Sequence, residues 1–273
     1  MSRLVGAAPD VLPLVLLAFV LPVGLAVTFG WHTPWFVLPA AAGLALVLWR
    51  LRPKEAITGS LADGAALVAI LLWVAVQLAY TGEYVTVDRD PAVYALTGVW
   101  LIDNPQVAVP TAEAAQVAAG VDGARTAGLG FGGTRARLSP EFAHTLPGLA
   151  ALGGWLGGVG GVLASNVVIA GVTLLAVYGV GRRCVGAWWA LLPVAGLAVA
   201  MPYVAFARNL YAEPLALGLA AAGVSTLMAV TRQADTAGAW RGSLLAGLFV
   251  GAAGLVRIDG GLLVIGAIVA VAC

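Results

Sequence analysis

Charge is what this chain has least of. Lys, Arg, Asp and Glu make up 10% of its 273 residues, against 61% hydrophobic, where an average soluble domain carries about 25% charged residues. That is too little charge to cover a water-facing surface, which excludes an ordinary soluble globule and makes lipid the solvent for most of the chain. The net charge of +1 excludes a strongly basic nucleic-acid binder, so no nucleic acid is expected among the partners. Cysteine is equally sparse. Cys184 and Cys273 make no disulfide framework, and Cys184 follows Arg182 and Arg183 at a position expected to be cytoplasmic. The N-terminus lacks the pattern of a cleaved signal peptide, because it has one Arg, the acidic Asp10, and an apolar stretch that continues past any cleavage site.

What is present is a series of charge-free runs. Each bilayer crossing consumes about 20 apolar residues. From Val11 to Trp49 no Asp, Glu, Lys or Arg occurs, but Gly30, His32 and Pro34 interrupt the run. It therefore divides into helices over 11–29 and 34–49, joined by a turn bearing interfacial Trp31 and Trp35. A third helix is expected over 61–80, with Asp63 near its end, where a carboxylate reaches the interface at little cost. Thr145 to Gly181 is again uncharged and too long for one span. It reads as a short or re-entrant helix over 146–161 followed by a full one over 162–181. Paired glycines at 153/154, 157/158 and 160/161 give the small-residue spacing that permits close helix contact. Further apolar segments cover 186–204, 213–230, 243–256 and 260–273. The last reaches Cys273 with no polar flank, so the chain is expected to be the N-terminal portion of a longer protein. The fold class expected is an all-α integral membrane protein, a polytopic bundle of about seven or eight transmembrane helices. One long extracytoplasmic loop, 81–144, carries short helices, among them one over 112–119.

Orientation follows from the basic residues of short loops. With a cytoplasmic N-terminus, Arg50, Arg52, Lys54, Arg182, Arg183, Arg232 and Arg241 lie inside, and only Arg208 and Arg257 occupy short outer turns. The acidic loop 81–144 then falls outside, in the cell membrane's outer aqueous phase. This alternation requires that the piece before Val162 not cross fully.

In that topology four polar clusters share the outer face: Asp88-Arg89-Asp90-Pro91-Ala92-Val93-Tyr94, Glu141 to Pro147 with His144, Arg208-Asn209-Leu210-Tyr211-Ala212-Glu213-Pro214, and Arg257-Ile258-Asp259-Gly260. Ionisable groups at or within a membrane boundary are costly and mark function by default. Each cluster also has a plain reading. The acids are then solvated, His144 is a hydrogen-bonded interface residue, Arg208 pairs with Glu213, and Arg257 pairs with Asp259. Their convergence on one face favours function.

These residues carry a family resemblance, in order over 61–265. Asp90-Pro91-Ala92-Val93-Tyr94, His144-Thr145-Leu146-Pro147, Tyr211-Ala212-Glu213-Pro214-Leu215 and Leu255-Val256-Arg257-Ile258-Asp259-Gly260 resemble motifs of type C glycosyltransferases. The likeness is to the dolichyl-phosphate-mannose or aminoarabinose transferase kind, with the chain as their N-terminal part. The departures are Pro91, where a second acid is expected and Asp88 compensates from upstream, and a missing proline after His144. The resemblance implies transfer of a sugar from a polyprenyl-phosphate donor to a glycan, lipid or protein acceptor at the membrane's outer face, with inversion. Asp90, supported by Asp88, is the expected general base. Tyr94, Arg208, Arg257 and Asp259 are expected to bind substrate and its phosphate. His144 and Glu213, or Asp88, are candidate ligands for a divalent metal ion. Two other classes remain open on the residues alone: a secondary transporter, which also gathers charges between broken helices, and a non-catalytic membrane subunit or scaffold.

Overall fold

A computed structural model describes residues 3–53, 59–82, 90–111, 116, 130–134, 137–232 and 236–257. The fold is all-α with a small sheet, and the expected polytopic bundle is what the chain forms. Among the described residues, six helices are long and apolar enough to cross a membrane, or seven if one bent pair counts as a span. The first helix, α1 (Arg3–Phe29), starts well before residue 11 and takes Asp10 and Pro9, Pro13 and Pro22 into its interior. Prolines are tolerated in such helices because neighbouring helices satisfy the freed backbone groups. Gly30, at φ +74°, ends α1 in the left-handed conformation that glycine adopts without strain. Thr33 and Pro34 then open α2 (Pro34–Leu51), with proline at a position whose N–H would have no helical partner. A reciprocal Ser60–Asp63 capping box starts α3 (Leu61–Leu78).

Among the described residues of the segment 81–144 lie α4 (Asp90–Asp103) and three short strands, β1 (Val109–Pro110), β2 (Phe131–Thr134) and β3 (Arg137–Pro140). The strands form an antiparallel sheet of order β1-β3-β2, with Phe131 opposite Pro140 and Val109 opposite Leu138. The helix expected over 112–119 falls outside the described residues, position 116 apart.

The uncharged run from Thr145 forms one continuous element, α5 (Thr145–Val185), broken at Gly157 and Gly158, where Gly158 takes φ +58°. Residues 145–156 make a first arm of about 18 Å at 1.5 Å per residue, short of the roughly 30 Å of a hydrocarbon core. Residues 159–185 make a second arm of about 40 Å, long enough to cross. The arms fold back on each other through glycine. A Cβ on Gly161 would collide with the carbonyl of Gly153, and one on Gly153 with the carbonyl of Gly161 and with Ser165.

After α5 come α6 (Leu191–Val199) and α7 (Met201–Arg208), bent by 68°. The single span expected over 186–204 is thus broken, because Ala200 is extended (ψ 121°) and Pro202 enters the first turn of α7. The last described helices are α8 (Glu213–Val230) and α9 (Thr236–Val256). The segment 260–273 lies outside the described residues.

The long element α5 is the axis of the bundle, packing on α1, α3, α4, α6, α7, α8 and α9. At one end of the bundle, Arg182 donates to Asp10 (2.6 Å) and Asp63 (3.3 Å), and Arg183 to Asp10 (3.0 Å) and Ser225 (2.8 Å). Tyr178 donates to the same Asp63 (3.1 Å). Asp63 is therefore a buried member of an ion network and not a carboxylate reaching for water, and paired Asp10 does not bound its helix. The opposite end, carrying the sheet and the Gly157–Gly158 turn, is called the loop end below.

Candidate functional site

The direction of the first arm of α5 decides what the loop end looks like. Thr145 donates to the carbonyl of Leu255 (3.3 Å) and sits beside Gly24 within α1. Gly148 lies against Val23 and Val27, and its carbonyl accepts from His32 Nε2 (3.1 Å). Trp155 donates to the Ile102 carbonyl (3.2 Å) and sets its ring at a tilt against His32, which lies past the end of α1. The arm thus begins inside the bundle and rises to its end. α4 runs alongside in the same direction, Gly98 facing Pro147 and Ala150, and Ile102 facing Gly154. Asp90 precedes Gly98 by eight helical residues, so the start of α4 lies about 12 Å deeper than Gly98 along the helix axis, a level called the recess below.

Around this recess the clusters meet. Tyr94, buried, sets its ring edge-on to Phe142 at 5.7 Å, and Val93 packs under Gly130. Asp90 opens α4 as the acidic residue of the first turn, where a carboxylate is stabilised by the helix dipole. Two residues after Phe142, His144 occupies the cap position of α5, its Nε2 bonded to the Pro140 carbonyl at 3.1 Å. Thr145 then reaches Leu255, two residues before Arg257. Arg257 forms an ion pair with Glu213, the first residue of α8, and both side chains are about one-third exposed.

One pairing differs from the plain readings of the sequence. Glu213 is the partner of Arg257 and not of Arg208. Arg208 instead donates from Nε to Gln77 (2.7 Å) and lies over the Tyr80 ring at 5.0 Å. Glu213 Oε2 is buried and has no hydrogen-bond partner among the described residues. Asp88 and Asp259 lie outside the described residues. Among the described residues no three His, Cys, Asp or Glu side chains group closely enough to hold a metal ion. His144 is bonded to a carbonyl, and one oxygen of Glu213 is bonded to Arg257.

The loop bearing Arg208 and leading to Glu213 is pinned by a residue the sequence reading passed over. Asn166, fully buried in the long arm of α5, directs its amide nitrogen at the carbonyls of Phe206 (2.7 Å), Asn209 (2.6 Å) and Tyr211 (3.1 Å). Thr173, about two turns further along the same face, donates to the Pro214 carbonyl (2.7 Å). An isolated amide in an uncharged membrane run was the available signal, since such groups bond across helices. At the rim, burial holds the His32 imidazole below its ordinary pKa of 6.5, because taking the ring out of water disfavours its charged form.

Comparison with known proteins adds no relative: no family model matches the chain, nor does any curated protein or solved structure.

Proposed function

We propose that this chain is a membrane glycosyltransferase, or the N-terminal portion of one, that moves a sugar from a polyprenyl-phosphate donor to an acceptor at the loop end. The observation that carries the reading is the grouping of motif residues at the loop end. A carboxylate opens α4 and an ion-paired guanidinium follows α9, on two elements that both pack against α5. The motif resemblance around Asp90, His144, Glu213 and Arg257 supports it. The acceptor is a hydroxyl of a glycan, lipid or protein. Its oxygen attacks the sugar's anomeric carbon while Asp90 takes its proton, and the bond from that carbon to the phosphate oxygen breaks. The electron pair leaves with the polyprenyl phosphate, and the single displacement inverts the anomeric centre.

The group roles follow from charge. Positioned proton transfer contributes about 10²–10⁴-fold, which is the part assigned to Asp90. Negative charge grows on the leaving phosphate, and preorganised cations there lower the barrier. Arg257, held by Glu213, and Arg208, held by Gln77, are assigned that part. Tyr94 supports the first turn of α4 from within.

The direct test is transfer from polyprenyl-phosphate sugars by purified protein, wild type beside Asp90→Asn. Loss of at least about 100-fold with an unchanged melting temperature is expected. Near-normal turnover in the variant would remove Asp90 from catalysis and weaken the family assignment. A secondary transporter is the second reading, favoured by a half-span beginning inside the bundle. It requires uptake of an intact solute into proteoliposomes with no bond cleaved.

A further inference from the structure

The basic end carries a surface feature with no part in that chemistry. Its two described acids, Asp10 and Asp63, are both consumed by Arg182 and Arg183. Arg50, Arg52 and Arg241 have no acidic partner among the described residues, and all three are exposed. The fold brings them to one corner. Pro53, next to Arg52, lies 3.2 Å from where a Cβ on Gly242 would stand, and Gly242 is next to Arg241. The last turn of α2 and the first turns of α9 therefore meet with an arginine adjoining each side of the contact.

The flanking residues say what depth this corner occupies. Trp49 is 45% exposed and Trp240 66% exposed, and exposed Trp marks the headgroup level of a bilayer. Arg52 lies over the Trp49 ring with its guanidinium carbon 3.6 Å from the centroid. Stacking of this kind orients the planar fork and reduces the freedom it loses when it binds. Below the corner, Leu48 and Leu245 are buried in the same core, so the two helices stay in register beneath it.

We propose that this α2–α9 corner is a binding site for the phosphate headgroup of an anionic phospholipid, separate from the recess at the loop end. Three guanidinium groups without acid partners among the described residues supply the charge, and exposed Trp49 and Trp240 suit the depth where lipid phosphates lie. Basic pockets between membrane helices bind such headgroups, at roughly fivefold in affinity per arginine near an anionic surface.

The test is lipid retention by the purified full chain in detergent, read by native mass spectrometry. Phosphatidylglycerol, phosphatidylcholine and inorganic phosphate are the three probes. Wild type should retain phosphatidylglycerol over phosphatidylcholine by at least about tenfold, and the preference should collapse at roughly 1 M salt, where screening acts within about 3 Å. Arg241→Gln and Arg52→Gln should each cut retention several-fold, and the combined Arg50→Gln, Arg52→Gln, Arg241→Gln variant should abolish the preference. Replacing the same three by Lys should keep much of it, and this variant carries the comparison if the Gln triple fails to fold. Equal retention of the two lipids by wild type, a salt-independent preference, or an undiminished preference in Arg241→Gln and Arg52→Gln would each overturn the site. So would inorganic phosphate displacing the lipid at equal concentration, because the site would then recognise free phosphate.

Discussion

At the scale of single residues, the Arg257–Glu213 pair is the sharpest test of the recess. If Arg257 is only a structural ion pair, Arg257→Lys keeps the charge and should be nearly neutral. Phosphate recognition predicts otherwise, because guanidinium makes a planar two-pronged match that ammonium cannot. The expected outcome is a loss of polyprenyl-phosphate binding of about tenfold or more, corresponding to a charge-assisted hydrogen bond of roughly 1.5–3 kcal/mol, with little change in melting temperature. A non-phosphorylated polyprenol serves as control, and equal binding by the two proteins would make Arg257 structural. Position along the chain revealed Arg257, Glu213 and Asp90 as charges amid apolar residues. It did not reveal who pairs with whom, since Arg208 is five residues from Glu213 while Arg257 reaches it across a helix–helix interface. His32 gives a second residue-scale prediction. Burial depresses its pKa from 6.5, so as pH falls the unfolded chain binds a proton that the folded one resists. Stability from the neutral ring is thus present above about pH 6.5 and is lost progressively below it. Melting temperature in detergent should fall between about pH 7.5 and pH 5.5, and His32→Gln should flatten that dependence. An unchanged slope in the variant would place the pH sensitivity elsewhere.

At the scale of elements, most helices were legible because lipid demands long apolar runs, and 34–49, 61–80 and 213–230 were located almost to the residue. The errors share a physical cause. Charge does not mark a boundary at Asp10, which sits inside α1, nor contact with water at Asp63, which is buried at the start of α3; each is neutralised by arginines on α5. Pairing partners distant in sequence leave no local trace. The break in α5 was legible in outline, from excess length and paired glycines, and lies at 157–158. Which glycines matter was not legible, because that depends on which ones face the other arm. Gly153 and Gly161 form the contact, while a Cβ on Gly160 would meet nothing within 4 Å. Gly161→Ala should therefore destabilise the hairpin by about 1–3 kcal/mol through overpacking and disturb the Thr145–Leu255 contact at its base. Gly160→Ala should be neutral or slightly stabilising, since alanine is the better helix former by roughly 1 kcal/mol. Thermal melts of the two variants decide it, and similar melting temperatures would mean the arms are not held through residues 153 and 161.

At the scale of the whole molecule, the proposed chemistry depends on which end of the bundle faces which compartment. The two ends differ in kind. One gathers Arg50, Arg52, Arg182, Arg183, Arg232 and Arg241, and the other carries the sheet, the Gly157–Gly158 turn and the recess around Asp90. Basic residues in short loops are retained on the cytoplasmic side, so the first end should be cytoplasmic and the N-terminus with it. The half-span is what makes the alternation close. Because residues 145–156 begin inside the bundle and rise to the loop end, α4, the sheet and that arm all belong to one side, and only the second arm of α5 crosses. Had 145–156 crossed fully, Arg182 and Arg183 would have been carried to the opposite compartment from Arg50 and Arg52. The prediction uses single cysteines at Gln116 and Thr231, exposed positions at the two ends, with Cys184 and Cys273 replaced. In intact cells an impermeant thiol reagent should label position 116 and spare 231 until the membrane is opened. Labelling of 231 with protection of 116 would invert the protein in the membrane. The recess would then face the cytoplasm, and an outer-face transfer from a lipid-linked donor would be ruled out.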